Sequence, residues 1–172
     1  MKLSSIAAAV LAGTAIIAVT PAFAGNTVGG AIHVGLEVID ECTIDTENID
    51  FGQVGIVQSN IDTSADITIE CTKRTPYAIS LDEGIVGAST AAREMENGTN
   101  DTINYQLYSN PGYSTVWGKV VGTDTVDSAS ADGVDEVHTI YARVPSHQNV
   151  PIGTYADTIT ATIWYADDAV VP

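Results

Sequence analysis

Two cysteines, three histidines and a set of carboxylates are the side chains best suited to chemistry here, and their spacing limits what they can do. His33, His138 and His147 lie in separate segments, and none has the i, i+4 spacing or nearby cysteine of a metal site. His33 falls on the polar side of an alternating run, where a solvated imidazole is expected. No Gly-x-Ser-x-Gly elbow frames a nucleophilic serine. The carboxylates of residues 124–136 lack the spacing of a calcium loop and read as a solvated acidic loop. Asp82-Glu83 and Asp167-Asp168 are neighbouring pairs in expected turns, which gives them no acid–base geometry. Two glycosylation sequons start at Asn97 and Asn100, and Asn97-Gly98 is equally a turn signal. Catalytic residues, metal ligands and cofactors are therefore expected to be absent. The chain does not read as an enzyme.

The cysteines take their chemistry from the compartment. Lys2 precedes an apolar stretch over residues 6–19, and Ala22-Phe23-Ala24 places small residues at the positions read before a cleavage point. This pattern predicts a signal peptide over residues 1–24. Fourteen residues rising 1.5 Å each reach about 21 Å, short of a bilayer core of about 30 Å, so an anchor is disfavoured. No later segment has membrane length, and membrane insertion of the mature chain is not expected. In an oxidising compartment Cys42 and Cys71 are expected to pair. Cys42 is flanked by Asp40, Glu41 and Asp45, which would suppress a reactive thiolate.

Charge excludes other partners. The 172 residues carry 22 acidic and 6 basic side chains, a net charge of −16. Nucleic acid needs a basic footprint to displace its counterions, so none is expected as a partner. Anionic lipid is disfavoured for the same reason.

The elements that must position these residues read as strands. Val28, Ile32, Val34, Leu36 and Val38 alternate with Gly29, Ala31, His33, Gly35 and Glu37, interrupted on the apolar side only at Gly30. Val38-Ile39 breaks the phase, so a bend is expected there. Further strands are expected over residues 67–71, 78–81, 103–108, 137–144 and 155–165, rich in threonine and β-branched residues. The single passable helical stretch is 88–96. Turn signals stand between, at Asn97-Gly98, Asn110-Pro111-Gly112, Asp132-Gly133 and Pro151-Ile152-Gly153. Short strands at this spacing predict an all-β fold, an antiparallel β-sandwich. Little chain follows Tyr165, so no further strand is expected beyond it, and the tail 166–172 has no assignment. A surplus alternating run precedes Cys42.

The order of features along the mature chain resembles the spore-coat-protein-U family, which includes the pilins of archaic chaperone–usher pili. The matching residues are Cys42, Phe51-Gly52, Cys71, Pro76-Tyr77, Arg93 with Met95, and Tyr105-Gln106-Leu107-Tyr108. They continue with Trp117-Gly118, Tyr141-Ala142-Arg143-Val144-Pro145, Gln148 and Gly153-x-Tyr155-x-Asp157-Thr158. The resemblance implies an incomplete immunoglobulin-like sandwich of pilin type, completed by a donor strand from another subunit. It implies a periplasmic chaperone that first fills the gap, an outer-membrane usher, and neighbouring copies of the same subunit in a fibre at the cell surface. The expected division is then a signal peptide (1–24), a donor extension (25–36) and a pilin domain (37–172). Val28, Ile32, Val34 and Leu36 would be the donor residues. The expected role is a structural pilus subunit serving attachment and biofilm formation. A coat protein that closes its own groove and a tip adhesin that binds a surface or glycan are the alternatives.

Overall fold

A computed structural model describes residues 25–165. The expected signal peptide, the tail 166–172 and the pair Asp167-Asp168 lie outside the described residues. The chain divides into two units with the boundary after Leu36.

In the first unit, residues 25–36 are all exposed and form no strand ladder. The period-two run therefore has apolar side chains on one side and no partner within the described chain.

The second unit is built from eight strands. They are β1 (Cys42–Thr46), β2 (Ile61–Cys71), β3 (Tyr77–Leu81) and β4 (Arg93–Glu96), then β5 (Thr102–Tyr108), β6 (Val126–Ser128), β7 (Glu136–Val144) and β8 (Ala161–Tyr165). All pair antiparallel, in a five-stranded sheet β1-β2-β7-β5-β4 and a three-stranded sheet β6-β3-β8. Alternation explains the layering. Ala65, Ile67, Ile69 and Cys71 of β2 and Ile140, Ala142 and Val144 of β7 point inward, while Asp62, Ser64 and Glu70 face out. The opposite layer supplies Tyr77, Ile79 and Leu81 from β3, a strand buried along its whole length. Trp117 fills the core and donates its indole N–H to the Ile79 carbonyl at 2.8 Å, the partner a buried indole needs.

Three expectations change. The stretch 88–96 is not a helix: its second half is β4, whose Arg93 lies opposite Tyr105 across the ladder. Local propensity loses there to burial of Arg93. The expected strand 155–165 shortens to β8, because β3 ends at Leu81 and offers residues 155–160 no ladder to join. The acidic stretch 124–136 is not loop throughout, since Val126–Ser128 form β6 against β3.

Candidate functional site

The site lies between two strand edges. Among the described residues β1 pairs only with β2 and β8 only with β3, so each presents an edge that no other described strand covers. The two edges flank a groove of about 620 Å³. Its floor is core: Ile67, Leu81, Tyr105, Leu107 and Ile140. Ile44, Ile49 and Phe51 form one wall, and residues 157–161 form the other. The volume alone would suit a small molecule. A trough with an apolar floor, polar groups along its walls and two strand edges beside it fits a β-strand better, because a strand supplies both hydrogen bonds and alternate side chains.

Side-chain bonds hold the wall at 155–160, where no ladder does. The Tyr105 hydroxyl donates to Asp157 Oδ2 at 2.7 Å, and Asp157 Oδ1 accepts from the Ile85 and Thr158 amides. Burial, with Asp157 adding to it, pushes the Tyr105 phenol well above its usual range, so the hydroxyl stays a donor. Gly84, at φ 82°, passes so close to the Asp157 carboxylate that any Cβ there would strike it. Asp82 Oδ1 accepts from the Thr160 and Gly84 amides at 2.9 and 3.0 Å. Burial raises the Asp82 pKa, but those bonds and the nearby Arg93 outweigh it and hold the carboxyl below its usual value. The Glu96–Ala156 bridge fixes the start of the wall.

Arg93 braces the same end. It is fully buried, and its guanidinium reaches the carbonyls of Leu81, Asp82 and Trp117 and the Gln106 side-chain oxygen, at 2.7 to 3.0 Å. Desolvation lowers its pKa, partly countered by Tyr105, Asp82 and Asp124. Because β3 and β5 belong to different sheets, this one side chain ties the layers together beneath the groove. Its motif position was visible in the sequence, but its bracing role was not.

The opposite wall is fixed covalently. Cys42 and Cys71 stand directly across the β1–β2 ladder and are joined by a disulfide. Just before it, Thr72 Oγ1 donates to the Ile39 carbonyl at 3.0 Å and accepts from the Glu41 amide, and Thr75 Oγ1 donates to Asp40. Upstream, Val28, Ile32, Val34 and Leu36 are 97%, 89%, 93% and 89% exposed.

The other candidate groups do not converge. His147 contacts Ser146, while His138 is half-buried against Tyr77 and Glu136. No group of three or more histidine, cysteine or carboxylate side chains is arranged to hold a metal among the described residues. Asp124 folds onto its own turn, accepting from the Val120 amide. Sequence reading missed the groove walls Ile44 and Ile49, which carry only short, imperfect alternation; Ile159 fell within the expected strand 155–165 but was not read as a groove wall.

A family model of the Spore Coat Protein U domain matches residues 29–162. The chain belongs to the Spore Coat Protein U domain family. The matched region of this Spore Coat Protein U domain takes in Ile32, Val34 and Leu36 of the extension as well as both groove walls. Protein U of Myxococcus xanthus is 31% identical over 174 residues, covering 92% of this chain and 96% of that protein. Among solved structures, the CsuC–CsuE chaperone–tip adhesion subunit pre-assembly complex from archaic chaperone-usher Csu pili of Acinetobacter baumannii contains a similar chain. The TM-score is 0.55 at 20% identity, covering 73% of this chain and 40% of that one. The Spore Coat Protein U domain therefore spans two-fifths of that solved chain's length. The likeness shows the fold: an immunoglobulin-like sandwich of the pilin type.

Proposed function

We propose that this chain is a structural subunit of a surface pilus, assembled through the chaperone–usher pathway by donor-strand exchange. On this reading residues 1–24 direct export to the periplasm, residues 25–36 are the donor extension, and 37–172 form the accepting domain. The extension of one copy, through Val28, Ile32, Val34 and Leu36, fills the groove between β1 and β8 of the next. A periplasmic chaperone holds the groove before an outer-membrane usher directs the exchange, and the fibre serves attachment and biofilm formation at the cell surface.

The observation that carries this reading is one pairing of features in one chain. A groove lacks a strand, and an extension carries the side-chain pattern of a strand with no ladder of its own. If the four apolar side chains bury fully, each contributes roughly 1.5 to 3 kcal/mol, or about 6 to 12 kcal/mol before ordering costs. Two backbone ladders add to that, and they relieve two exposed edges that would otherwise invite aggregation. The test is to purify the oxidised protein and heat it stepwise in detergent. A ladder of multimers that collapses to monomer only on heating supports exchange between copies. A protein that stays monomeric yet protects its extension from protease would instead be a coat protein closed on itself. A tip adhesin fits less well, since the extension gives this chain a strand to donate.

A further inference from the structure

Among the described residues, the exposed cations that form no ion pair are gathered in one place. Of the basic residues among those described, Arg93 is buried, Arg143 pairs with Asp62 at 2.6 Å and Lys119 pairs with Glu83 at 2.6 Å. Lys73 and Arg74 are exposed and form no ion pair among the described residues. They lie in the turn after β2, one and two residues from the Thr72 that anchors Ile39. Arg74 adopts φ 75°, a left-handed conformation that glycine or asparagine would take with less strain. Beside the pair, Ile39 is 68% and Val134 60% exposed, and Gly133 lies against Lys73. The groove is charged oppositely: Glu47 and Asp157 line it, Asp45 and Asp50 are exposed on the segment forming its β1 wall, and no basic residue lines it.

Chain length brings the two surfaces together. Between Leu36, the last donor residue, and Ile39, whose carbonyl is tied to Thr72, only Glu37 and Val38 intervene. Three Cα–Cα steps of 3.8 Å span at most about 11 Å. Once Leu36 is seated in a neighbouring groove, Ile39 lies within about 11 Å of it, which brings the turn bearing Lys73 and Arg74 within reach of the neighbour's surface.

We infer that Lys73 and Arg74 form a second contact between successive copies of this chain, docking on the carboxylates Asp45, Glu47 and Asp50 beside the neighbour's groove. The inference rests on the donor-strand reading and adds to it a polar clamp that orients each subunit on the next. Charge complementarity of this kind acts mainly on encounter rate and orientation.

A zero-length carbodiimide cross-linker, applied to fibres mixed from light and heavy isotope-labelled subunits, tests it. The expected product joins Lys73 to Asp45, Glu47 or Asp50 of the other isotope. In parallel, Lys73→Glu with Arg74→Glu should slow assembly at low salt by about two- to tenfold, fading as salt screens the pairs. Adding Glu47→Lys should restore part of the rate. Arg74→Gly, which removes the charge and relieves the backbone, should slow assembly without lowering the unfolding midpoint. Ladders that form normally while Lys73 cross-links only within its own subunit, with charge reversal without effect, would overturn the clamp and leave strand donation standing. Failure of the unaltered protein to form ladders would overturn both.

Discussion

At the scale of single residues, the donor assignment turns on adjacent side chains of opposite fate. On the donor-strand reading, period two sends Val34 into a groove and His33 away from it. Val34→Asp should abolish ladders, since an unpaired carboxylate in an apolar site costs several kcal/mol against the 6 to 12 kcal/mol roughly available. His33→Asp should leave them intact. Equal ladders from both would remove the donor assignment. Arg93 gives a second test. Arg93→Met would strip donors from three carbonyls and the Gln106 side chain, at about 1 to 3 kcal/mol for each left unsatisfied. The urea midpoint should fall by the equivalent of at least about 3 kcal/mol, and Arg93→Lys should recover little, since an ammonium cannot span those acceptors. His138 sets a pH dependence. Burial lowers its pKa, opposed in part by Glu136. Tyr77, which donates to Glu136 and lies 2.9 Å from the imidazole, is held protonated by burial and by Glu136. The folded state thus favours neutral imidazole more than the unfolded state does. That contribution is fully present above the unfolded value of about 6.5 and is lost as pH falls through the folded value. Urea midpoints should drop below about pH 6.5, and His138→Gln should flatten that part of the profile.

At the scale of elements, the legible strands were those with long alternation and a buried face. Residues 67–71, 78–81, 103–108 and 137–144 all lie within observed strands, because central positions impose period two on their side chains. What escaped was decided by partners far away in sequence. Nothing in Cys42–Thr46, mostly exposed, announces a strand until β2 lies beside it. Ala-Ala-Arg-Glu favours helix locally, yet Arg93 is drawn to carbonyls on another sheet. Residues 155–160 alternate like a strand and still lack a ladder, because the strand they would meet ends at Leu81. The groove was legible only as an implication of family resemblance, since its walls come from segments about a hundred residues apart. The extension should be separable from the domain. Deleting residues 27–36 removes nothing buried from the second unit, so the truncated subunit should fold with its chaperone, accept a strand and end the fibre that takes it up. A truncated chain that cannot fold even with chaperone present would place the strand in its own domain and favour the self-closed coat protein.

At the scale of the whole molecule, acidity is expected to govern how the proposed fibres meet. Each chain carries a net charge of −16, and of its 20 described carboxylates half belong to exposed residues and none is buried. Repeated along a fibre, such charge opposes side-by-side association over a Debye length of about 10 Å at 0.1 M salt. Light scattering should report dispersed fibres at low ionic strength and bundles as salt rises, and salt-independent bundling would show that charge is not in control. The disulfide at the root of the extension has a mechanical meaning. In a fibre of the proposed kind under tension, each domain would be pulled through its own extension, which reaches β1 at Cys42, and through the foreign strand held in its groove. The first pull meets a covalent link directly across the ladder, so the force passes into β2, an eleven-residue strand inside the sheet, without unzipping β1. The β1 wall therefore keeps its grip while the second pull acts on it. An oxidised fibre should part between subunits by strand withdrawal, with its domains intact. A reduced one should yield from within, as β1 peels from its loaded end and releases the strand it had been holding.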